Sequence, residues 1–417
     1  MRGDAGDPLQ DFRARFALPR DAAGRPLVYF CGHSLGLMPL DARRIVGEEL
    51  DSWATLGIEG QFTGRRPWVQ YAELMNWGLA MLAGAQPHEV VAMNSLTVNL
   101  HVLMASFYRP QGRRRRILIE AGAFPSDRYA VQGQIAWHGL DPADCLVELG
   151  PRAGEELLGE DDIEAAIERA DDTLALVLWP GVQYLTGQAF DLARLARAAH
   201  RAGAAVGFDL AHAIGNLPLA LHDSGADFAA WCSYKYLNAG PGAIGGAFVH
   251  ERHMHRDDLP RLAGWWGNDP ASRFLMAQAF ARAPGAAGWQ ASNPPILASA
   301  PLLASLEAFA AAGMARLRAR SIALTRSLEA AIDALPPGEV TLVTPREPRE
   351  RGAQLSVRVG GGRERGQRVH TALTARGVVC DWREPDLMRI APVPLYNTFD
   401  EVQACAAALR AALAGSP

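Results

Sequence analysis

The chain has 417 residues, 49% of them hydrophobic and 21% charged, with a formal net charge of −4. These proportions are ordinary for a globular fold of about two or three domains, and the slight negative balance argues against nucleic acid or an anionic membrane as main partner. Asp4, Asp7 and Asp11 stand where a signal peptide needs an apolar run, and no apolar stretch approaches the ~18 residues of a membrane helix.

In chain order, Val90–Met93 reads as a short strand and Thr97–Phe107 as a helix. Strands are expected at Ile117–Glu120, Cys145–Leu149 and Leu174–Trp179. The run Arg113–Arg116 before the second strand is read as a solvated turn, since no basic or aromatic surface accompanies it. Asp191–Ala202 predicts an amphipathic helix, with Leu192, Leu195, Ala196 and Ala199 on one face and Asp191 as its cap. Ala205–Phe208, Phe228–Cys232 and Ile244–Val249 continue the strands. Strands alternating with helices imply an α/β domain with a mostly parallel sheet flanked by helices.

After Asn293-Pro294-Pro295 the texture changes. One long helix is expected from about Ala300 to Leu335, stopped by Pro336-Pro337-Gly338. Strands at Val340–Val343 and Gln354–Val359, a helix at Arg365–Arg376, strands near Val378–Cys380 and Met388–Ala391, and a helix at Asp400–Ala414 suggest a smaller α+β domain. The five cysteines (Cys31, Cys145, Cys232, Cys380, Cys405) are odd in number and lack a Cys-x-x-Cys pair. They suit a reducing, cytoplasmic setting better than disulfides or zinc.

Among 41 basic residues the chain has a single lysine, Lys235. Arginine supplies a charge as well as lysine does, but only lysine can act as an amine nucleophile and form a Schiff base. The flanking Trp231-Cys232-Ser233-Tyr234 is a poor surface sequence, which favours a catalytic amine over a stray surface charge. Ligands of α/β sheets sit at the carboxyl ends of the strands. Asp209 stands there, as a partner for a protonated ring nitrogen or as a plain N-cap. His212 follows one turn later. Asn94-Ser95-Leu96-Thr97, at a strand-to-helix junction, offers a phosphate site or simple capping by Ser95. Phe124-Pro125-Ser126-Asp127 offers a stacking ring and a carboxylate, or a turn. Glycines 240, 242, 245 and 246 match no nucleotide-binding pattern and are read as turn and close-approach positions. His250, His253 and His255 lack partners at metal-ligand spacing, so no metal is expected.

Taken together, Tyr29-Phe-Cys-Gly-His-Ser-Leu-Gly36, Asn94-Ser-Leu-Thr-Val-Asn-Leu-His101, Phe124-Pro-Ser-Asp127, Gly181-Val-Gln-Tyr-Leu-Thr-Gly-Gln188 and Phe208-Asp-Leu-Ala-His-Ala-Ile-Gly-Asn216 resemble the kynureninase family. Trp231-Cys-Ser-Tyr-Lys-Tyr-Leu-Asn238, Gly264-Trp-Trp-Gly267, Ser292-Asn-Pro-Pro-Ile296 and Arg389-Ile-Ala-Pro-Val-Pro-Leu-Tyr-Asn397 extend the resemblance over most of the chain. It implies a pyridoxal-phosphate enzyme of fold type I, in the aspartate aminotransferase superfamily. The implied division is an N-terminal segment (1–45) packing with the small domain, a large cofactor-binding domain (46–298) and a small C-terminal domain (299–417). The implied reaction is hydrolytic cleavage of L-kynurenine, or 3-hydroxy-L-kynurenine, to anthranilate or 3-hydroxyanthranilate and L-alanine. This belongs to tryptophan catabolism and NAD biosynthesis.

The resemblance also implies roles. Lys235 would carry the cofactor and act as the catalytic base, Asp209 hold the ring nitrogen and Phe124 stack on the ring. Asp127 and His212 would lie near the ring substituents. Leu96, Thr97 and Tyr234 would bind the phosphate, with Tyr234 also a proton donor. Trp265 and Asn293 would reach in from a second subunit, which implies a homodimer with shared active sites. Arg389 would grip the substrate carboxylate, a bidentate task suited to a guanidinium, with Gln61, Ser292 and Asn293 nearby. Gln61 departs from the ring that relatives tend to carry there, and Pro180 replaces a hydroxyl residue found in some. The rivals are another fold type I lyase or desulfurase, which needs a mobile loop cysteine, and a non-catalytic kynurenine-binding homologue, which should have lost cofactor residues.

Overall fold

The structure, a computed structural model, describes residues 7, 9–276 and 278–415; Asp4 lies outside them. Among the described residues no single helix is long and apolar enough to cross a membrane. The strands, in chain order, are β1 (Val28–Tyr29), β2 (Val90–Ala92), β3 (Arg116–Glu120), β4 (Leu146–Leu149), β5 (Leu174–Pro180), β6 (Ala205–Asp209), β7 (Phe228–Trp231) and β8 (Gly246–Val249). The C-terminal part adds β9 (Val340–Leu342), β10 (Leu355–Val359), β11 (Val378–Val379), β12 (Asp381–Arg383) and β13 (Leu387–Ile390).

Seven strands form one sheet in the order β2-β8-β7-β6-β5-β3-β4. The run from β7 to β4 is parallel, and β8 and β2 close one edge antiparallel. The alternation of side chains explains why these strands read as nearly unbroken apolar runs. Leu118, Val177, Trp179 and Phe208 face one core, whereas Ile117, Ile119, Leu176 and Leu178 face the other. Helices cover both faces, as parallel sheets require. Four helices matter for the site: α1 (Leu40–Leu56), α2 (Glu73–Ala83), α3 (Leu96–Phe107) and α4 (Pro125–Trp137). Pro125 opens α4 at a position where the missing N–H costs nothing.

A second sheet, β12-β13-β10-β9, is antiparallel and shares a separate core with the helices Met314–Asp333, Arg363–Ala375 and Phe399–Ala414. The last of these begins with a reciprocal cap between Thr398 and Glu401. β1 pairs in parallel with β11 and so ties the N-terminal stretch to this part. Arg13 reinforces the tie through the Tyr396 carbonyl and Glu401.

The single helix expected from Ala300 to Leu335 is instead two, Ile296–Ala312 and Met314–Asp333, meeting at 82°. Gly313, with φ 77° and ψ 127°, makes the break, a conformation that side-chain-bearing residues avoid. The first helix packs against α1 and α2 and is apolar all round, which is why its composition hides the join. A Cβ at Gly313 would meet nothing closer than 3.6 Å, so the cost of Gly313→Ala is conformational, about 1–3 kcal/mol. It should appear as a lower chemical-denaturation midpoint with the slope of the transition unchanged.

Candidate active site

Five segments converge where β3, β5, β6 and β7 end: the start of α3, the Glu120–Asp127 turn, residues 180–184, the Asp209–His212 turn and Tyr234-Lys235. They enclose a cavity of about 160 Å³. The structure therefore brings together Leu96, Thr97, Phe124, Asp127, Asp209, His212, Tyr234 and Lys235, all of which line it.

Lys235 Nζ lies 3.0 Å from His212 Nε2 and 5.9 Å from the ring centroids of both Phe124 and Tyr234. Burial, and then the charge of Lys235, hold the His212 imidazole well below its ordinary pKa, so it is a neutral base. Asp209 accepts the Ala211 N–H at 2.7 Å. The capping expected of an isolated Asp is thus present as a turn contact, yet the carboxylate still faces the cavity. Asp127, buried beside Asp209, is pushed well above the carboxylate range, first by burial and then by Asp209, and in its acid form donates to Asp209. Burial likewise raises the Tyr234 phenol.

At α3, Ser95 makes no side-chain capping bond. The first N–H groups of the helix stay open, beside a hydroxyl pair, Thr97 Oγ1 and Ser126 Oγ, 2.5 Å apart. Such an end binds a phosphate. Asp127 Oδ1 and His212 Nδ1 are buried with no partner among the described residues. An open helix end, a half-exposed Phe124 ring, a carboxylate and an amine together suit a flat, phosphate-bearing aldehyde.

Three further cavity residues lay outside the sequence-based set. Glu120 ends β3, is 3% exposed, has only the Gln183 amide at 3.4 Å, and is pushed up to about 8 by burial. Its position at the end of a buried parallel strand was the available signal. Tyr184 packs edge-on against Phe124 with centroids 5.2 Å apart, and Ser126 completes the hydroxyl pair.

Arg389 lies behind this cavity, fully buried. Its Nε donates to Asp381 Oδ1 at 2.7 Å, Nη1 to the Tyr184 carbonyl at 2.7 Å, and Nη2 to Ser34 Oγ at 3.0 Å and to Asp381 Oδ2. One Nη1 N–H is left over, so in this arrangement the two-pronged face is occupied by Asp381. Burial would raise Asp381, but Arg389 and then His33 hold it well below the carboxylate range. His33 is itself pushed down to about 4 by burial. The Gly-His-Ser-Leu-Gly segment carrying His33 and Ser34 reaches the lysine because Gly36 has no side chain. A Cβ there would lie 2.3 Å from both Asn238 Oδ1 and the Lys235 carbonyl.

Gln61, Trp265, Ser292 and Asn293 do not line the cavity. Trp265 is 51% exposed, Ser292 and Asn293 are exposed, and Gln61 is partly so. Phe62, next to Gln61, and Trp265 both pack on Phe274.

Among solved structures, the chain is similar to the cysteine desulfurase CsdA from Escherichia coli, with a TM-score of 0.78 at 19% identity over 98% of this chain and 99% of that one. It is also similar to the cystine C-S lyase C-DES in complex with cysteine persulfide, with a TM-score of 0.76 at 20% identity over 92% and 97%. The fold is that of the fold type I pyridoxal-phosphate enzymes.

The family model described as the kynureninase C-terminal domain matches residues 317–409. The chain is 58% identical over 396 residues to the kynureninase of Xanthomonas campestris pv. campestris (strain B100), covering 95% of this chain and 93% of that one. It is 57% identical over 399 residues to that of Xanthomonas oryzae pv. oryzae (strain PXO99A), covering 96% and 94%. The chain belongs to the kynureninase family.

The raised pKa of Glu120 gives a signed test. A carboxyl raised from 4.5 to about 8 contributes stability that is complete below its unfolded value and is lost as pH rises through 8. The amide introduced by Glu120→Gln would not titrate. The Tm of this variant relative to the unaltered protein should therefore rise from about pH 5 to about pH 8 and flatten beyond. A difference independent of pH would contradict the assignment.

Proposed function

We propose that the chain catalyses hydrolytic Cβ–Cγ cleavage of L-kynurenine, giving anthranilate and L-alanine with pyridoxal phosphate as cofactor. The observation that carries this is the Lys235 amine, 3.0 Å from a neutral His212, in a cavity with Asp209, Phe124 and an open helix end, in a chain 58% identical to curated kynureninases. A desulfurase is disfavoured because all five cysteines are buried. A binding-only homologue is disfavoured because the cofactor residues are present.

When bound, pyridoxal phosphate supplies an electron sink for charge developing at the substrate's Cα. The protein's part is positional. Leu96 and Thr97, with Ser126, hold the phosphate, Phe124 covers one ring face and Asp209 holds the ring nitrogen. Lys235 Nζ would hold the cofactor and, with the substrate amine in that place, would be free to take up the Cα proton as general base. Arg389 offers its charge and remaining Nη1 N–H to the α-carboxylate beside Ser34. Tyr234, kept neutral by burial, would return a proton in later steps. Water would add to the Cγ carbonyl, and breaking the Cβ–Cγ bond would release the aryl acid and leave the electron pair on Cβ, which takes up a proton.

The finer reading divides the chain into an N-terminal segment (1–45), a large domain (46–298) and a small domain (299–417). It is also a homodimer. Trp53, Ile58, Phe62 and Trp265 are more than half exposed, an unusual number of large apolar groups for a bare surface. An apolar groove of about 900 Å³ lies between residues 17–19, the 35–39 segment and α1. Trp265, Ser292 and Asn293 of one subunit then complete the other's cavity, and Gln61 and Asn293 face the aryl group. A cytoplasmic location is supported by the unpaired thiols.

The test is spectroscopic and chemical. Purified protein should show a visible cofactor band that borohydride bleaches, fixing the cofactor on Lys235. Kynurenine and 3-hydroxykynurenine, assayed side by side, should yield aryl-amine fluorescence. Lys235→Arg should lower kcat by at least about 10²–10⁴-fold, the range for loss of a positioned base. A band without aryl product would refute the proposed reaction. Tyr234→Phe should slow protonation or cleavage in single turnovers; if neither rate changes, Tyr234 has no part in proton transfer.

A further inference from the structure

Glu89, His222 and His250 come from three separate stretches: the turn Pro87–Glu89 before β2, the short helix Leu221–Ser224 before β7, and the residue after β8. β8 runs antiparallel to β7, so Val249 lies beside Phe228 at the start of β7 and Gly246 beside Trp231 at the cavity end. The three residues therefore meet at the sheet edge remote from the active site, and the reaction described above does not use them.

The Glu89 carboxylate is fully buried and accepts the Gln86 N–H at 2.9 Å and the Glu251 N–H at 2.8 Å. Burial raises its pKa, but those two N–H groups and His222 outweigh it and leave the group lowered, so it is an anion. His222 Nδ1 lies 3.0 Å from both of its oxygens, and a proton on that nitrogen accounts for the contact. His250 is different. Burial, and then Arg252, push it toward the neutral form. Its Nδ1 accepts the Arg252 N–H at 3.3 Å, so that nitrogen carries a lone pair, yet it stands 3.6 Å from Glu89 Oε1. The long Arg252 N–H contact now occupies that lone pair, and an ion held between His250 and the Glu89 carboxylate would take its place. The His222 and His250 rings stack at 5.0 Å, and the three ligand atoms lie within 4.8 Å of one another.

We propose that Glu89, His222 and His250 bind a divalent ion of the zinc class, with water in the fourth position. In a tetrahedral site with bonds of roughly 2.0–2.1 Å, ligand atoms sit roughly 3.3 Å apart, and the spacings of Glu89 Oε1 from His222 Nδ1, 3.0 Å, and from His250 Nδ1, 3.6 Å, bracket that value. Two imidazoles and a carboxylate suit zinc, and nickel or copper as competitors. Binding needs both ring nitrogens unprotonated, so it weakens as the solution is acidified. Glu89 first, then Glu251 and Asp223, favour a proton on His222, while burial and then Arg252, with His222 and His253, act against positive charge at His250. His88, paired with Glu251 at 3.1 Å, stands near the rim. The ion would fasten the antiparallel edge strands, the first of which leads into α3, to the start of β7.

The test uses tag-free protein with its cofactor retained, stripped with EDTA and titrated with zinc chloride in two buffers of different ionisation enthalpy. One zinc per chain should bind at micromolar concentration or tighter, with proton release, and raise the Tm. His222→Ala and His250→Ala should each weaken binding about tenfold or more and abolish the Tm rise, whereas His255→Ala should bind as the unaltered protein does. Absence of stoichiometric binding, or binding unchanged in both variants, overturns the proposal. Should either variant fail to fold, X-ray absorption on the zinc-loaded parent decides. A shell of two imidazoles and a carboxylate supports the site, and sulfur or all-oxygen ligation overturns it.

Discussion

Charge balance inside one small, largely buried cavity is the constraint on which the site depends. Ending several parallel strands together brings Glu120, Asp127, Asp209, His212 and Lys235 into one small space. Burial penalises every charge that lacks a partner. Glu120 and Asp127 respond by keeping their protons and His212 by losing its own. The cluster is thereby reduced from a crowd of ions to neutral donors and acceptors around one amine and one carboxylate. A cationic ring nitrogen can then be met by Asp209 without the repulsion that three carboxylates would create.

A second balance is struck behind the cavity. Arg389 on β13 and Asp381 on β12 neutralise each other across the small sheet, and Ser34 bonds both. Because Ser34 and His33 belong to the N-terminal stretch, this pair pulls together the beginning and end of the chain. The Tyr184 carbonyl, accepting from Arg389, adds the wall of the large sheet. A guanidinium held on three sides has one direction left in which to meet a ligand, and charge-assisted bonds of this kind are the strong ones. The small sheet thus fixes the guanidinium, while the ends of the large sheet gather the amine and carboxyl groups.

Much of this was legible in the sequence, and the exceptions have physical causes. The buried parallel strands declared themselves through unbroken β-branched and apolar runs, and the residues at their carboxyl ends fell into the cavity. The helix break at Gly313 was not legible, because the helix before it is apolar on almost every side and offers no continuous polar face whose phase would slip at the join. Asp381 was overlooked as a site residue because its importance lies in a partner eight residues along the chain on the next antiparallel strand. Glu120 was read as the end of a strand and no more. Its place at the end of a buried strand signals position, but a protonation state set by burial leaves no mark in a one-dimensional pattern.

The residues expected near the substrate or from a second subunit remain apart from the rest. Gln61 and Trp265 stand in short 3-10 turns and Ser292 and Asn293 in a loop, all outside the cavity, and Phe62, Trp265 and Phe274 form an aromatic cluster. In the proposed dimer, cofactor chemistry is built on the rigid strand ends of one subunit and aryl recognition on loops brought in by the other. Loops tolerate substitution more readily than strand ends buried in two cores. The amide at position 61 falls on the tolerant side of that division, and the one lysine of the chain falls on the other. An arginine at position 235 would keep the charge but present no amine lone pair to a carbonyl, so the strand-end half of the site admits no such drift.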